Sequence, residues 1–152
     1  MTKILSILQG ENNKILRNKS VELTDEEIKS EEIQQLIKNM AITMLKKDGA
    51  GLAAPQVGKN IRLFVVETKD GSLVFINPKI TRKSFKKEID TEGCLSLPDI
   101  WGKVKRSYRV KVEFIDKNGN KQSLKAQGLL ARVIQHESDH LDGILFIDKL
   151  EK

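Results

Sequence analysis

The residues best suited to chemistry lie near the carboxyl end of the chain, at residues 136–140, where the sequence reads HESDH. On a helix, side chains four positions apart share one face, with their Cβ atoms roughly 5–6 Å apart. Two imidazoles at that spacing can bind one metal ion, and the glutamate between them can act on a water molecule beside it. A chance pairing of two structural histidines is less favoured, because the chain has no other histidine. The pattern therefore predicts a metal site with His136 and His140 as ligands.

Two histidines do not complete a catalytic metal site, which usually has three protein ligands and one open position. The third ligand could be a glutamate or a cysteine. Cys94, the only cysteine, lies between strand-like segments, and Gly93 and Pro98 restrict the backbone on either side of it. Taken alone, Cys94 is better interpreted as a buried structural thiol. Beside a helix with two histidines we favour a metal ligand instead, because a thiolate binds zinc or ferrous iron well.

Two long helices are predicted, one before Cys94 in the sequence and one that contains both histidines. The last helix runs over about residues 128–141, and one stripe of it is expected to face the core: Leu129, Val133, His136 and His140. An amphipathic helix is predicted over residues 31–47, where apolar residues recur at helical spacing. Before it, Thr24 and Glu27 have the spacing of a capping box.

Strands are predicted for most of the remaining chain. Residues 61–67 and 73–76 flank Asp70-Gly71, a strong hairpin signal. Residues 104–115 are expected to form one strand that turns at Asn118-Gly119 into residues 122–126, and residues 144–150 are expected to be extended. Because strands and helices segregate along the sequence, we predict an α+β fold with mainly antiparallel sheets packed around a central metal-binding helix.

Length and composition bound the remaining possibilities. The 152 residues, 39% hydrophobic and 32% charged, indicate a single domain over residues 1–152 with its own core. No apolar run is long enough for a membrane span, and the start does not resemble a secretory signal or transit peptide, so a bacterial cytoplasmic location is expected. The net charge is +6, but acids are interspersed with the lysines. We therefore expect no specific nucleic-acid site and at most a weak ribosome contact.

Three segments together resemble the signature motifs of the peptide deformylases: residues 49–56 (GAGLAAPQ), 92–96 (EGCLS) and 135–140 (QHESDH). They stand in the family's order with suitable spacing, and the resemblance covers essentially the whole chain. It implies an enzyme that hydrolyses the N-formyl group from the N-terminal formylmethionine of nascent polypeptides. The products would be formate and a free amino terminus.

The resemblance also implies roles for individual residues. Cys94, His136 and His140 would bind one divalent metal ion, with water or hydroxide as the fourth ligand. Ferrous iron is the family's usual native metal, and zinc or nickel is possible. Glu137 would be the general base and proton carrier. The side-chain amide of Gln56 and the backbone N–H of Leu95 would stabilise the oxygen of the tetrahedral intermediate.

Substrate binding and support of the site are implied in the same way. An extended peptide is expected to pair with the segment that contains Gly51. The methionine side chain is expected in a pocket lined by Ala50, Leu129, Val133 and the aliphatic stem of Arg132. Glu92 and Arg106 resemble a supporting ion pair.

Two departures from the family pattern concern binding more than chemistry. The chain lacks the C-terminal helix that some members use for ribosome docking, so its docking mode is open. Residues 99–101 read DIW, where some relatives carry an arginine for the substrate backbone.

Two other functions remain to be separated from deformylation. A general zinc peptidase could use the same HExxH chemistry, although such enzymes usually take a histidine or glutamate as third ligand. An inactive deformylase-like binding module would keep the fold without turnover. Substrate choice and turnover discriminate among the three.

Overall fold

The computed structural model describes residues 1–152 and contains two antiparallel sheets. The larger sheet has the spatial order β1-β2-β3-β6-β7, with β1 (Gly51–Ala53), β2 (Leu63–Thr68), β3 (Gly71–Lys83), β6 (Arg109–Ile115) and β7 (Lys121–Gln127). The smaller sheet pairs β4 (Lys87–Cys94) with β5 (Leu97–Ser107). The α-helices are α1 (Lys14–Arg17), α2 (Asp25–Lys29), α3 (Glu31–Lys46) and α4 (Gly128–Leu141). The predicted α+β class with mainly antiparallel sheets is confirmed.

Helices cover both faces of the larger sheet at β2. Residues 63–66 (LFVV) are all buried, because Leu63 and Val65 pack with α3 on one face and Phe64 and Val66 pack with α4 on the other. A strand covered on both faces has no need for alternating polar residues. Since α4 also contacts β5 of the smaller sheet, it lies between the two sheets. None of the helices has the length and apolar character needed to span a bilayer.

The helix boundaries agree with the predictions from local sequence. The Thr24 and Glu27 side chains form a capping box at the start of α2. α3 begins at Glu31 as expected, and it ends beside Asp48, whose positive φ of 57° takes the chain out of the helix. The last helix spans Gly128–Leu141, as the periodicity predicted.

The prediction of one strand over residues 104–115 is wrong. The chain leaves the smaller sheet after Ser107 and enters the larger one at Arg109. At the break, the Tyr108 N–H donates to the Lys86 carbonyl at 2.9 Å, and the Tyr108 carbonyl accepts from the Gly128 N–H at 2.9 Å. The alternation of apolar residues runs across the break because Val104 before it and Val110 and Val112 after it are all buried, although Val104 is buried in a different cluster from the other two.

The expectation that residues 144–150 are extended is also wrong. Residues Phe146–Lys149 form a turn of 3-10 helix. The Asp148 carboxylate accepts a hydrogen bond from the Leu145 N–H at 3.0 Å, which favours the turn. Within residues 144–150, only Leu150 forms a β-bridge, and its partner is Val104.

Candidate metal centre

Three possible metal ligands meet where β4 ends beside α4. The Cys94 Sγ and one ring nitrogen of each of His136 and His140 all lie within 4.8 Å of one another. The His140 ring is buried, and its Nδ1 has no hydrogen-bond partner. One sulfur and two imidazole nitrogens suit zinc or ferrous iron. The predicted ligands therefore fit one divalent metal ion in both geometry and chemistry.

Glu92 orients one of these ligands. Its Oε1 lies 2.8 Å from the His136 Nδ1, so the other ring nitrogen, Nε2, is free to face the Cys94 thiol. A carboxylate behind a metal-binding histidine fixes the ring's tautomer and orientation. Burial alone would lower the pKa of His136, but its hydrogen bonds to Cys94 and Glu92 raise that pKa to about 10. A metal ion bound at this ring would therefore displace a proton.

The predicted ion pair of Glu92 and Arg106 is part of a larger buried network. Arg106 donates to both Glu92 oxygens, from Nε at 2.8 Å and from Nη2 at 2.9 Å, and its Nη1 donates to Asp139 at 2.6 Å. Arg132 Nη1 donates to Glu92 Oε2 at 2.6 Å. Burial raises the pKa of Glu92, but hydrogen bonds from Arg106 and His136 outweigh it and hold that pKa well below its usual range. Glu92 therefore remains an anion.

The sequence reasoning missed two members of this network. Asp139 belongs to the HESDH motif but has no role in that pattern, and the family resemblance implies only a contribution of the Arg132 stem to the substrate pocket. The spacing contained a signal, because Arg132 precedes His136 by one helical turn and so lies on the same buried face. Its guanidinium also donates to the carbonyls of Val104 and Glu88, at 2.9 and 2.8 Å.

Glu137 lies beside the three ligands with an unsatisfied carboxylate. Its side chain is buried, its Oε1 has no hydrogen-bond partner, and its Oε2 lies 4.0 Å from the His136 Nε2. Burial is the largest influence on this group and raises the pKa of Glu137 to about 7. A carboxylate of this kind can accept or return a proton near neutral pH.

Gln56 is held with its amide nitrogen toward the ligands. Its Oε1 accepts from the Ala53 N–H at 3.0 Å, and its Nε2 donates to Ser96 Oγ at 3.1 Å and lies 3.5 Å from Cys94 Sγ. Leu95 lies in the turn between β4 and β5, and its N–H donates to no protein atom. The Gln56 amide nitrogen thus stands next to the Cys94 thiol, and the Leu95 N–H directly follows Cys94 in the chain.

A cavity of about 390 Å³ opens over these groups. It is lined by all the residues predicted to contact substrate: Ala50, Gly51, Leu129, Arg132 and Val133. The expectation that Leu129 faces the core is wrong, because this side chain is 72% exposed at the rim of the cavity. Trp101, 71% exposed, lies on the rim as well. The predicted supporting residue Arg106 does not line the cavity.

One wall of the cavity is an open sheet edge. β1 is the edge strand of the larger sheet and pairs only with β2. A Cβ atom on Gly51 would lie 2.7 Å from Glu137 Oε2 and 2.9 Å from Val133 Cγ1, so only glycine lets β1 approach α4 this closely. An extended peptide could add to such an edge as a further strand.

Comparison with known proteins identifies a matching family. The family model for polypeptide deformylase matches residues 4–152 of this chain. Peptide deformylase 1 of Clostridium perfringens is 48% identical over 143 residues, which is 93% of this chain and 95% of that protein. The peptide deformylase of Treponema pallidum (strain Nichols) is 48% identical over 122 residues, which is 80% of this chain and 75% of that protein.

Solved structures give the same family. The crystal structure of peptide deformylase from Thermotoga maritima superposes with a TM-score of 0.94 at 37% identity, covering 99% of each chain. A class I type b peptide deformylase from Acinetobacter baumannii, crystallised with Met-Ala-Ser bound, gives a TM-score of 0.94 at 34% identity, covering 99% of this chain and 100% of that chain. The similarity therefore extends over the whole fold, including the elements that position the candidate metal centre.

Proposed function

The chain belongs to the polypeptide deformylase family, and we propose that its candidate metal centre carries out the family's reaction, removal of the N-formyl group from nascent peptides. It is a hydrolase of this class. The observation that supports the proposal most directly is the convergence of Cys94, His136 and His140 within 4.8 Å beside the buried carboxylate of Glu137. Metal ligands and a proton carrier are the minimum that amide hydrolysis of this kind requires.

Cys94, His136 and His140 would hold one divalent metal ion. When bound, the ion would activate a water molecule and polarise the formyl oxygen. We propose ferrous iron as the native metal, with zinc or nickel as alternatives, since the thiolate and two imidazoles accept all three. Glu92 would keep the His136 ring in its binding orientation through the 2.8 Å contact to Nδ1.

Glu137 would move the proton. Its raised pKa, about 7, leaves a substantial fraction of the carboxylate ionised at neutral pH and makes the acid form easy to reach. The carboxylate would take the proton from the attacking water and then give it to the amine that leaves when the C–N bond breaks. The products are formate and a peptide with a free amino terminus.

Gln56 and Leu95 would stabilise the oxygen that becomes negative as the water attacks. The Gln56 Nε2 lies 3.5 Å from the Cys94 Sγ, and the N–H of Leu95, the next residue in the chain, donates to no protein atom. A single donor of this type is typically worth about 10²–10³ in rate. Ser96 supports the arrangement, because its Oγ accepts from the Gln56 Nε2 at 3.1 Å.

The substrate would enter as an extended peptide along β1. Its backbone would pair with the edge that includes Gly51, and the methionine side chain would enter the cavity between Ala50, Leu129, Val133 and the stem of Arg132. An unbranched thioether adapts well to an apolar pocket of irregular shape. The Met-Ala-Ser complex of the related A. baumannii enzyme supports this substrate class.

We also propose the setting in which the enzyme works. A single catalytic domain over residues 1–152 would act in the bacterial cytoplasm on formylmethionyl peptides as they emerge from the ribosome, with at most weak contact to the ribosome itself. The bacterial origin of the relatives from C. perfringens and T. pallidum supports this setting.

The test is formate release from formyl-Met-Ala-Ser by protein purified anaerobically and assayed for iron and zinc. We expect rapid release with one metal ion per chain, and no cleavage of an unformylated peptide with internal bonds. Internal cleavage would favour a general zinc peptidase. Bound metal without formate release would favour an inactive binding module.

A further inference from the structure

A row of cations crosses the larger sheet. Arg82 in β3 lies opposite Lys111 in β6, and Lys111 lies opposite Lys125 in β7. None of these side chains forms an ion pair. Side chains directly opposite each other on neighbouring strands are close enough to interact, and like charges there destabilise the sheet. The strand register therefore concentrates uncompensated positive charge within two strand spacings, about 10 Å.

This part of the sheet is open to solvent. Val110, Val112 and Ala126 are buried against α4, and side chains alternate along a strand, so Lys111 and Lys125 point to the other face. On that face α3 packs over β1, β2 and the first half of β3, and its cluster contains no buried residue of β6 or β7. The only acid along this stretch of the pairing is Glu113, opposite Lys79.

The corner between β3 and β4 adds a fully exposed aromatic ring. Residues 82–87 read RKSFKK, and Phe85 is 102% exposed. The corner is well anchored: the Ser84 N–H donates to the Arg109 carbonyl at 3.0 Å, and the Ser84 Oγ accepts from the Arg109 N–H at 2.9 Å. The exposure of Phe85 is therefore a feature of an ordered turn.

The corner and the cation row form one surface. Lys86 Nζ lies 4.2 Å from the centroid of the Tyr108 ring, and Arg109 Cζ lies 5.3 Å from it. Arg109 is two residues before Lys111 on the same strand, so it shares the open face. The exposed phenylalanine thus lies on a corner that carries cations and adjoins the cation row of the sheet.

We propose that this surface, formed by Arg82, Phe85, Lys86, Arg109, Lys111 and Lys125, binds single-stranded RNA. A base would stack on Phe85, and successive phosphates would contact the cation row, as in sequence-independent single-strand binding. A lipid surface fits less well, because membrane-binding surfaces present several apolar side chains, and Phe85 is the only fully exposed one on the corner. The choice of RNA over DNA rests on the proposed function, whose substrate is made on an RNA-rich particle.

The surface lies away from the candidate metal centre. β4 runs from the corner at Lys87 to Cys94, a distance of about 25 Å for a strand of this length. RNA bound at the corner would leave the cavity open. Binding and formate release are therefore separable by experiment.

The experiment is fluorescence anisotropy with a labelled oligouridylate of about 16 nucleotides, using the full chain loaded with metal. We expect a dissociation constant of about 10⁻⁴–10⁻⁶ M that weakens with salt. Phe85→Ala should weaken binding about 5- to 100-fold, and Phe85→Trp should restore it, because stacking needs an aromatic face. The double variant Lys111→Glu with Lys125→Glu should weaken binding and reduce the slope of log K against log salt by about 1–2.

A matched control is Lys38→Glu with Lys46→Glu on α3, which changes the net charge equally on exposed positions elsewhere. If the control pair weakens RNA binding equally, the effect comes from net charge alone and the proposal is overturned. Binding to an oligothymidylate or to anionic phosphatidylserine vesicles, but not to the RNA, would also overturn it. Unchanged formate release in all variants would place the RNA surface outside the catalytic site. Loss of formate release in the corner variants would contradict that separation.

Discussion

At the scale of single residues, Glu92 connects the candidate metal centre to the rest of the protein. Its two oxygens accept hydrogen bonds from Arg106 and Arg132 and contact the Nδ1 of His136. Of the two buried guanidinium groups that it pairs with, Arg132 has no other carboxylate partner, and Arg106 has only Asp139 besides. The orientation of a metal ligand and the stability of the core are therefore coupled through a single carboxylate.

Replacing Glu92 with glutamine should cost both stability and metal affinity. Glu92→Gln leaves Arg132 without a counter-charge and Arg106 with Asp139 as its only one, and breaking a buried pair in this way typically costs about 3–5 kcal/mol. Loss of the carboxylate behind His136 should weaken metal binding about 10–100-fold. Urea denaturation and competition with a chelator measure the two effects. Glu113→Gln, on an exposed strand position, is the matched control and should change neither.

Glu137 should be needed for turnover and not for metal binding. Glu137→Ala removes the proton carrier while leaving the three ligands in place, so formate release should fall by about 10²–10⁴. Metal content per chain should stay at the wild-type level. Activity close to wild type in a metal-loaded Glu137→Ala sample would remove Glu137 from the mechanism.

At the scale of elements, the close approach of β1 and α4 shapes the active site. The strand supplies the cavity wall and the free edge, and the helix supplies two ligands and the proton carrier. Gly51 sets the distance between them, because any larger residue would meet Glu137 and Val133. Glycine at position 51 thus has a packing reason that is specific to this junction.

Gly51→Ala should lower kcat, with a smaller effect on the free energy of unfolding. The added methyl group would lie 2.7 Å from Glu137 Oε2, so the carboxylate must move away from its position beside His136. We expect kcat to fall at least about 10-fold, as small displacements of catalytic groups commonly cause, with metal content unchanged. Wild-type kcat in this variant would show that the carboxylate tolerates the displacement. Ser72→Ala, on the exposed hairpin of the same sheet, serves as control.

At the scale of the whole molecule, the two ends of the chain are joined beside the end of α4. Arg17 in α1 pairs with Asp148 at 2.6 Å, and Gly143 packs against the backbone of Arg17. The ion pair is partly exposed and contributes little by itself. The backbone contact is tighter, since a Cβ on Gly143 would clash with the Arg17 carbonyl.

This junction can be tested with two glycines of similar conformation. Gly143 and Gly58 both have positive φ, 74° and 90°, but a Cβ on Gly58 would meet nothing within 4 Å. Both alanine variants incur the backbone cost of a positive φ, about 1–2 kcal/mol. Gly143→Ala should be more destabilised than Gly58→Ala by at least about 1 kcal/mol, because overpacking adds to strain. Equal urea midpoints for the two variants would show that the Arg17 contact relaxes freely.

Much of the candidate site could be predicted because its signals are local. The spacing of His136 and His140 needs only the helical period, and the boundaries of α3 and α4 follow from apolar spacing and the residues that end helices. The hairpin at Asp70-Gly71 is likewise set by neighbouring residues. The ligand role of Cys94 is favoured only because two histidines stand elsewhere on a predicted helix, and the roles of Gln56 and Leu95 are implied only by the family resemblance, because nothing near these residues in sequence indicates a metal.

Tertiary structure alone decided which distant residues meet. The sequence could not indicate that residues 104–115 divide between two sheets, because alternation reports burial and not which core a residue enters. It could not give Asp139 and Arg132 their partners in the Glu92 network, since those contacts join α4 to β4 and β5. The cations at positions 82, 111 and 125 are far apart in the sequence, and only the strand register places them side by side on one open face. Local periodicity is determined by neighbouring residues, whereas register and layer packing depend on the free energy of the whole fold.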